Sequence, residues 1–143
     1  MIYPDTSVLI AAATQEEFTA RARRLLAGAR PGELLASAWT QTELASALGV
    51  KQRSDKLDRA GRLRAAAVLQ AMLRDAFTVV PIGQRHFELA TDMIERDIAP
   101  LKGPDALHLA VVSLSGAVLW TNDRPMATAA DALGVPVARL TEA

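Results

Sequence analysis

Short apolar runs alternate with longer amphipathic stretches along this chain. Ile2-Tyr3, Leu34-Leu35-Ala36, Phe77-Thr78-Val79-Val80, Val118-Leu119-Trp120 and Val135-Pro136-Val137 are short and largely apolar, as buried strands are. Between them, apolar positions recur at helical spacing and predict helices over residues 15–28, 38–51, 55–75, 84–97, 104–115 and 124–133. Strands that alternate with helices predict an α/β fold with a mainly parallel sheet covered on both faces. Local chemistry marks some boundaries: Pro104 suits a first helical position, where its missing N–H costs nothing, and Gly134 suits a helix stop. The pattern contains no repeat, low-complexity tract or linker, so residues 1–143 read as a single domain.

Composition narrows the chemistry. Half of the 143 residues are apolar, enough for a compact core, yet no apolar run approaches the roughly 18 residues that cross a bilayer. Met1-Ile2-Tyr3-Pro4-Asp5 lacks a signal-peptide pattern, which predicts a cytoplasmic protein with no membrane partner. There is no cysteine, so disulfides, thiolate metal sites and cysteine nucleophiles are excluded. The two scattered histidines, His86 and His108, do not suggest zinc. Lys plus Arg and Asp plus Glu are both 16, so any nucleic-acid contact has to rest on local clusters of positive charge.

Four acids stand at positions that such a fold exposes. Asp5 follows the first predicted strand and Asp123 follows Val118-Leu119-Trp120-Thr121-Asn122, and ligands of open α/β sheets bind at the carboxyl ends of the strands. Glu43 and Asp105 fall near the starts of predicted helices, where a lone acid is equally well explained by the helix dipole. Together they say more. Carboxylates gathered in one crevice raise one another's pKa unless a cation neutralises them. A hard divalent cation such as Mg²⁺ or Mn²⁺ favours oxygen ligands, and an all-carboxylate set points to phosphoryl chemistry.

At these residues the sequence resembles the PIN-domain ribonucleases, and in particular the VapC-type toxins of bacterial VapBC toxin–antitoxin pairs. The resemblance is carried by Asp5-Thr6-Ser7-Val8-Leu9-Ile10, Thr42-Glu43-Leu44-Ala45, Asp105-Ala106-Leu107-His108-Leu109-Ala110 and Thr121-Asn122-Asp123-Arg124, in order over almost the whole chain. It implies a PIN-like three-layer α/β/α fold with a five-stranded parallel sheet. It further implies Mg²⁺- or Mn²⁺-dependent endoribonuclease activity, inhibition by a VapB-type antitoxin, and a homodimer. By position, Asp5, Glu43, Asp105 and Asp123 look like the catalytic and metal-binding quartet, with Ser7, Thr121 and Asn122 as supporting polar neighbours. Two residues depart from the pattern. Pro4 stands where an apolar strand residue is usual, which predicts an early end to the strand. Lys102 stands three before Asp105 where many relatives carry Arg, and it can meet phosphate only as a point charge.

The remaining candidates divide between packing and chemistry. His108 reads as a packing or hydrogen-bonding residue rather than a general base, and His86 as part of a solvated helix face. Trp120 reads as core or crevice wall, and Trp39 as packing rather than a base-stacking platform. Arg21, Arg23, Arg24 and Arg30 form one basic cluster; Lys51, Arg53, Lys56, Arg59, Arg62 and Arg64 form another. The common outcome for such clusters is a solvated face paired with Glu16, Glu17, Asp55 and Asp58. The alternative is that Lys51, Arg53, Lys56 and Lys102 contact RNA. Other functions compete less well. A phospho-acceptor receiver domain needs an acceptor Asp and a late Lys that are missing, and a haloacid-dehalogenase-type phosphatase needs Asp where Ser7 stands. A non-catalytic PIN-fold binding module is the remaining alternative.

Overall fold

The computed structural model describes residues 1–140. Five parallel strands form one sheet in the order β3-β2-β1-β4-β5: β1 (Ile2–Pro4), β2 (Leu34–Ser37), β3 (Phe77–Val80), β4 (Val118–Thr121) and β5 (Val137–Arg139). The helices are α1 (Thr6–Ala13), α2 (Thr19–Gly28), α3 (Ala38–Arg53), α4 (Arg59–Ala76), α5 (Gln84–Glu95), α6 (Gly103–Ser115) and α7 (Arg124–Ala132). The expected three-layer α/β/α fold with a five-stranded parallel sheet is present. Its strand order also differs from the 2-1-3-4-5 order of receiver domains, which removes that alternative.

The two faces of the sheet are sealed by different helices. Tyr3, Leu35 and Leu119 point to one side, against Met93 of α5, Leu109 and Val112 of α6 and Met126 of α7. Ala36 points to the other, with Leu9 and Ile10 of α1, Leu44 and Leu48 of α3 and Leu69 and Leu73 of α4. Such alternation follows from the two-residue period of a strand.

Several boundaries differ from the pattern-based expectation, each for a local reason. Helix α1 is absent from the helical periodicity of the sequence, because Val8, Leu9, Ile10, Ala11 and Ala12 are all buried and leave no amphipathic period to read. The α2 helix begins at Thr19 rather than residue 15, since the Thr19 hydroxyl is tied up in the preceding turn with the Glu16 amide. The α3 helix runs on to Arg53, and Asp55 then takes a left-handed φ of 57°. Asp58 caps α4 through the Gly61 amide (2.6 Å), so α4 starts at Arg59. At the far end of the chain, the Val135 amide bonds back to Ala130 O (2.8 Å) and Gly134 adopts φ 70°. This closing of α7 engages Val135, and β5 begins at Val137 instead.

Pro4 is the last residue of β1 and lies in the middle of the sheet. The Ile2 amide donates to Glu33 O on the β2 side, whereas the Asp5 amide donates to Trp120 O on the β4 side. By alternation the missing Pro4 N–H faces β2, and pairing with β2 extends no further than Ile2 and Leu34. Strand β1 thus parts from β2 early but stays paired with β4 through Pro4 and Trp120. The order of strands reverses between β1 and β4, and the crevice at such a switch point is where open α/β sheets bind ligands.

Candidate active site

Asp5 leaves β1 at this switch point and serves as the N-cap of α1. Its Oδ1 accepts from the Val8 amide (3.1 Å) and the Ser7 hydroxyl (2.6 Å), and its Oδ2 accepts from the Thr121 hydroxyl (2.5 Å). Both hydroxyls also receive a bond from the β4–α7 turn: Ser7 Oγ from the Asn122 amide (3.2 Å) and Thr121 Oγ1 from the Asp123 amide (3.0 Å). Two side chains therefore stitch the end of β1 to the end of β4. Asp123 itself caps α7 through the Met126 amide (3.0 Å). The Asn122 side chain enters none of this, and its amide oxygen is buried with no hydrogen-bond partner among the described residues.

Glu43 lies in the second turn of α3, one turn deeper than a dipole partner would be. Two donors meet its Oε2, the Thr6 hydroxyl (2.7 Å) and His108 Nε2. On the other side of the His108 ring, Nδ1 is 2.7 Å from the Tyr3 hydroxyl, which also bonds Ser37 Oγ (2.9 Å) and Thr40 Oγ1 (3.0 Å). Ser37 and Thr40 form the capping box of α3, each side chain accepting the other's amide. With the hydroxyls of Ser37 and Thr40 donating to Tyr3, the tyrosine proton goes to Nδ1. That assigns the neutral ring a proton on Nε2, directed at Glu43. His108 is thus a buried link in a hydrogen-bonded chain. Sequence reasoning did not single out Tyr3, Thr6, Ser37 or Thr40, whose partners lie up to 105 residues away.

Asp105 sits in the first turn of α6, behind Pro104. It joins Asp5, Glu43 and Asp123 in lining one open cavity of about 270 Å³, with Thr6, Ser7 and His108 also on its wall. Burial and neighbouring groups shift these acids differently. Burial pushes the Asp5 carboxyl up from its ordinary value, against the pull of the Ser7 and Thr121 hydroxyls and the Val8 amide. Asp105 is also raised, first by burial and then by the charges of Asp123 and Glu43. Glu43 goes the other way: burial would raise it, but the hydrogen bond and electrostatic pull of the His108 N–H and the Thr6 hydroxyl outweigh that. Burial pushes the Tyr3 hydroxyl up to about 12, so it remains a proton donor.

The all-oxygen donor set of the four acids suits a hard cation. As the side chains stand, no three of the described acids and histidines are gathered tightly enough to be joint ligands of one ion. Mg²⁺ keeps several waters and takes only one or two carboxylates directly, so the cavity fits such an ion in donor chemistry.

Of the other expected basic contacts, Lys102 alone lies near the acids. Lys51 pairs with Glu16 beyond the far end of α1, and Arg53 folds its guanidinium over Gly49. Lys56 lines a second cavity beside Lys51. Lys102 is at the N-cap of α6, near enough to lower Asp105 slightly by its charge. Trp39 packs with Ala90 and Ala106, and Trp120 with Val8, Ala11 and Leu140. His86 accepts from the Gly83 amide at the start of α5 (3.0 Å).

Residues 2–132 match the model of the PIN domain family. The chain belongs to that family. Its fold is similar to that of VapC20 from Mycobacterium tuberculosis, described as a sarcin-ricin loop cleaving toxin, at 22% identity and a TM-score of 0.72 over 90% of this chain and 95% of that one. FitAcB from Neisseria gonorrhoeae superposes over 100% of both chains at 18% identity and a TM-score of 0.75. A toxin–antitoxin complex from Klebsiella pneumoniae gives 22% identity and a TM-score of 0.67 over 98% of both chains. No match is found among the curated protein sequences. At these identities the structural likenesses establish the PIN fold.

Proposed function

We propose that this PIN domain is a divalent-metal-dependent endoribonuclease acting as the VapC-type toxin of a toxin–antitoxin pair. The observation that carries the reading is the meeting of Asp5, Glu43, Asp105 and Asp123 on one cavity at the sheet's switch point. The toxin and toxin–antitoxin structures that share the fold support it.

Asp5, Glu43, Asp105 and Asp123 would hold the ion, one or two of them directly and the others through its water shell. When bound, Mg²⁺ or Mn²⁺ supplies a Lewis acid for the phosphodiester and lowers the pKa of water beside it. The chain's own residues hold the carboxylates in place. Ser7 and Thr121 fix both oxygens of Asp5, so that its carboxylate cannot turn away from the crevice. Thr6 and His108 both bond Oε2 of Glu43, which fixes that oxygen. Asp105 is raised by burial and then by the charges of Asp123 and Glu43, and a cation placed among these acids would relieve that repulsion. A homodimer inhibited by a VapB-type antitoxin in the cytoplasm completes the proposal. No helix among the described residues is long and apolar enough to cross a membrane.

The test is cleavage of RNA by the purified protein with and without Mg²⁺ or Mn²⁺, followed by end mapping of the products. Metal-dependent internal cuts that disappear in Asp5→Asn are expected. RNA left intact under every divalent ion would overturn the nuclease reading in favour of a binding-only PIN fold.

A further inference from the structure

The chain has equal numbers of acidic and basic residues, 16 of each, but the structure does not spread them evenly. Four carboxylates line the cavity at the N-terminal end of α1. Just past its other end is a larger cavity of about 670 Å³, lined by Arg23, Lys51, Lys56 and Arg64 and by a single acid, Glu16. The eight residues of α1 separate the two by about 12 Å. Helix α3 makes the same journey beside it, from Glu43 and Ala47 at the acidic cavity to Lys51 at the basic one.

We propose that this basic cavity is a phosphate-binding subsite that holds the RNA strand at a phosphodiester away from the one being cleaved. The inference rests on the ribonuclease reading above and adds where the strand is held. A polyanion is repelled by the four carboxylates, so its affinity has to come from a cationic surface outside the acidic cavity. Clusters of cations on a protein surface are usually neutralised by neighbouring acids, and here only one of the four is. Among the described residues Lys51 pairs with Glu16, whereas Arg23, Lys56 and Arg64 make no ion pair. Arg23 is pinned by its Nε to Ala12 O (2.8 Å), which leaves the end of its guanidinium for a ligand. Several like charges around one hollow repel each other, and a phosphate placed among them relieves that repulsion. On this reading the strand is held by Arg23, Lys51, Lys56 and Arg64, the basic residues that line the cavity, whereas Arg53 and Lys102 lie outside it.

The experiment measures binding of a labelled single-stranded RNA across a range of salt, in the Asp5→Asn background so that the RNA survives. Lys56→Glu combined with Arg64→Glu should weaken binding and flatten the slope of log K against log salt by about 1.4, at about 0.7 per single-strand phosphate contact. Both positions are exposed, and the milder pair Lys56→Gln and Arg64→Gln guards against misfolding. Arg59→Glu, exposed on the same helix but outside the cavity, controls for net charge and should leave the slope unchanged. In the cleavage-competent chain the double variant should raise KM with kcat within twofold. An unchanged slope overturns the subsite. So does a greater loss of affinity for an acidic peptide than for RNA, which would assign the cavity to a protein partner. If the wild type fails to cleave while the double variant still flattens the slope, the nuclease reading fails and the RNA subsite stands.

Discussion

The Tyr3 hydroxyl lies 2.7 Å from His108 Nδ1, and the far side of that ring meets the Glu43 carboxylate. A strand residue on the sheet floor thus governs, through one imidazole, an acid on the opposite wall of the crevice. The whole chain from Ser37 and Thr40 to Tyr3 and His108 is buried, where an unmade hydrogen bond costs more than a made one contributes.

Tyr3→Phe should reveal both roles of this contact. Removing the hydroxyl strands Nδ1 of His108 and two hydroxyl donors at once, which predicts a loss of about 1–3 kcal/mol in urea unfolding. The freed imidazole no longer has a fixed tautomer, so RNA cleavage should fall several-fold in kcat with little change in KM. Wild-type kcat in Tyr3→Phe would show that the chain to Glu43 is purely structural.

Thr121 is the second lever on the acids, because its one oxygen donates to Asp5 and accepts from the Asp123 amide. Thr121→Val keeps the shape and removes both bonds, leaving a buried Asp5 oxygen short of a donor. We expect destabilisation of about 1–3 kcal/mol and a marked fall in cleavage. Thr121→Ser, which restores the hydroxyl, should recover most of both. A serine variant as impaired as the valine one would assign the effect to packing of the methyl group.

Legibility in the sequence followed the kind of signal each residue leaves. The acids stood out only as a set: a lone carboxylate at a helix start is equally well explained by the dipole or a cap, whereas four of them in the order of one family's motifs are not. Helix α1 left no periodic signal, since burial on all sides erases the period that identifies a helix, and its first half was marked only by the Asp5-Thr6-Ser7-Val8-Leu9-Ile10 motif. The hydrogen-bonded chain behind Glu43 was invisible for a different reason. Tyr3, Ser37, Thr40 and His108 are ordinary residues for a core and a helix cap, and only the sheet order places them together. The basic residues could be found but not sorted, because which of them face a common hollow depends on how α1, α2 and α4 pack.

Adding a divalent ion should stabilise the wild type. A ligand that binds only the folded state adds about 2.7 kcal/mol at one hundred times its dissociation constant. The melting temperature should therefore rise with Mg²⁺ or Mn²⁺, and the rise should shrink in Asp5→Asn and Asp105→Asn. An undiminished rise in both variants would place the ion somewhere other than this cavity.

The pH dependence of stability distinguishes the acids from one another. Asp5 and Asp105 bind protons more tightly when folded, so each contributes stability below its unfolded pKa that is lost as pH rises through its folded one. Glu43 behaves oppositely: its folded pKa is lowered, and its contribution is present above the unfolded value and lost as pH falls through the folded one. In metal-free protein, Asp5→Asn should therefore match or exceed wild-type stability at neutral pH, and lose that advantage in acid. Asparagine is as good an N-cap as aspartate, so α1 keeps its start. Glu43→Gln should instead be less stable at neutral pH, with the difference narrowing as the medium is acidified. Thermal melts from pH 3 to pH 8 in chelator test both signs together. An Asp5→Asn chain less stable than wild type at neutral pH would mean that the Ser7 and Thr121 hydroxyls hold the carboxylate charged more strongly than burial discourages it.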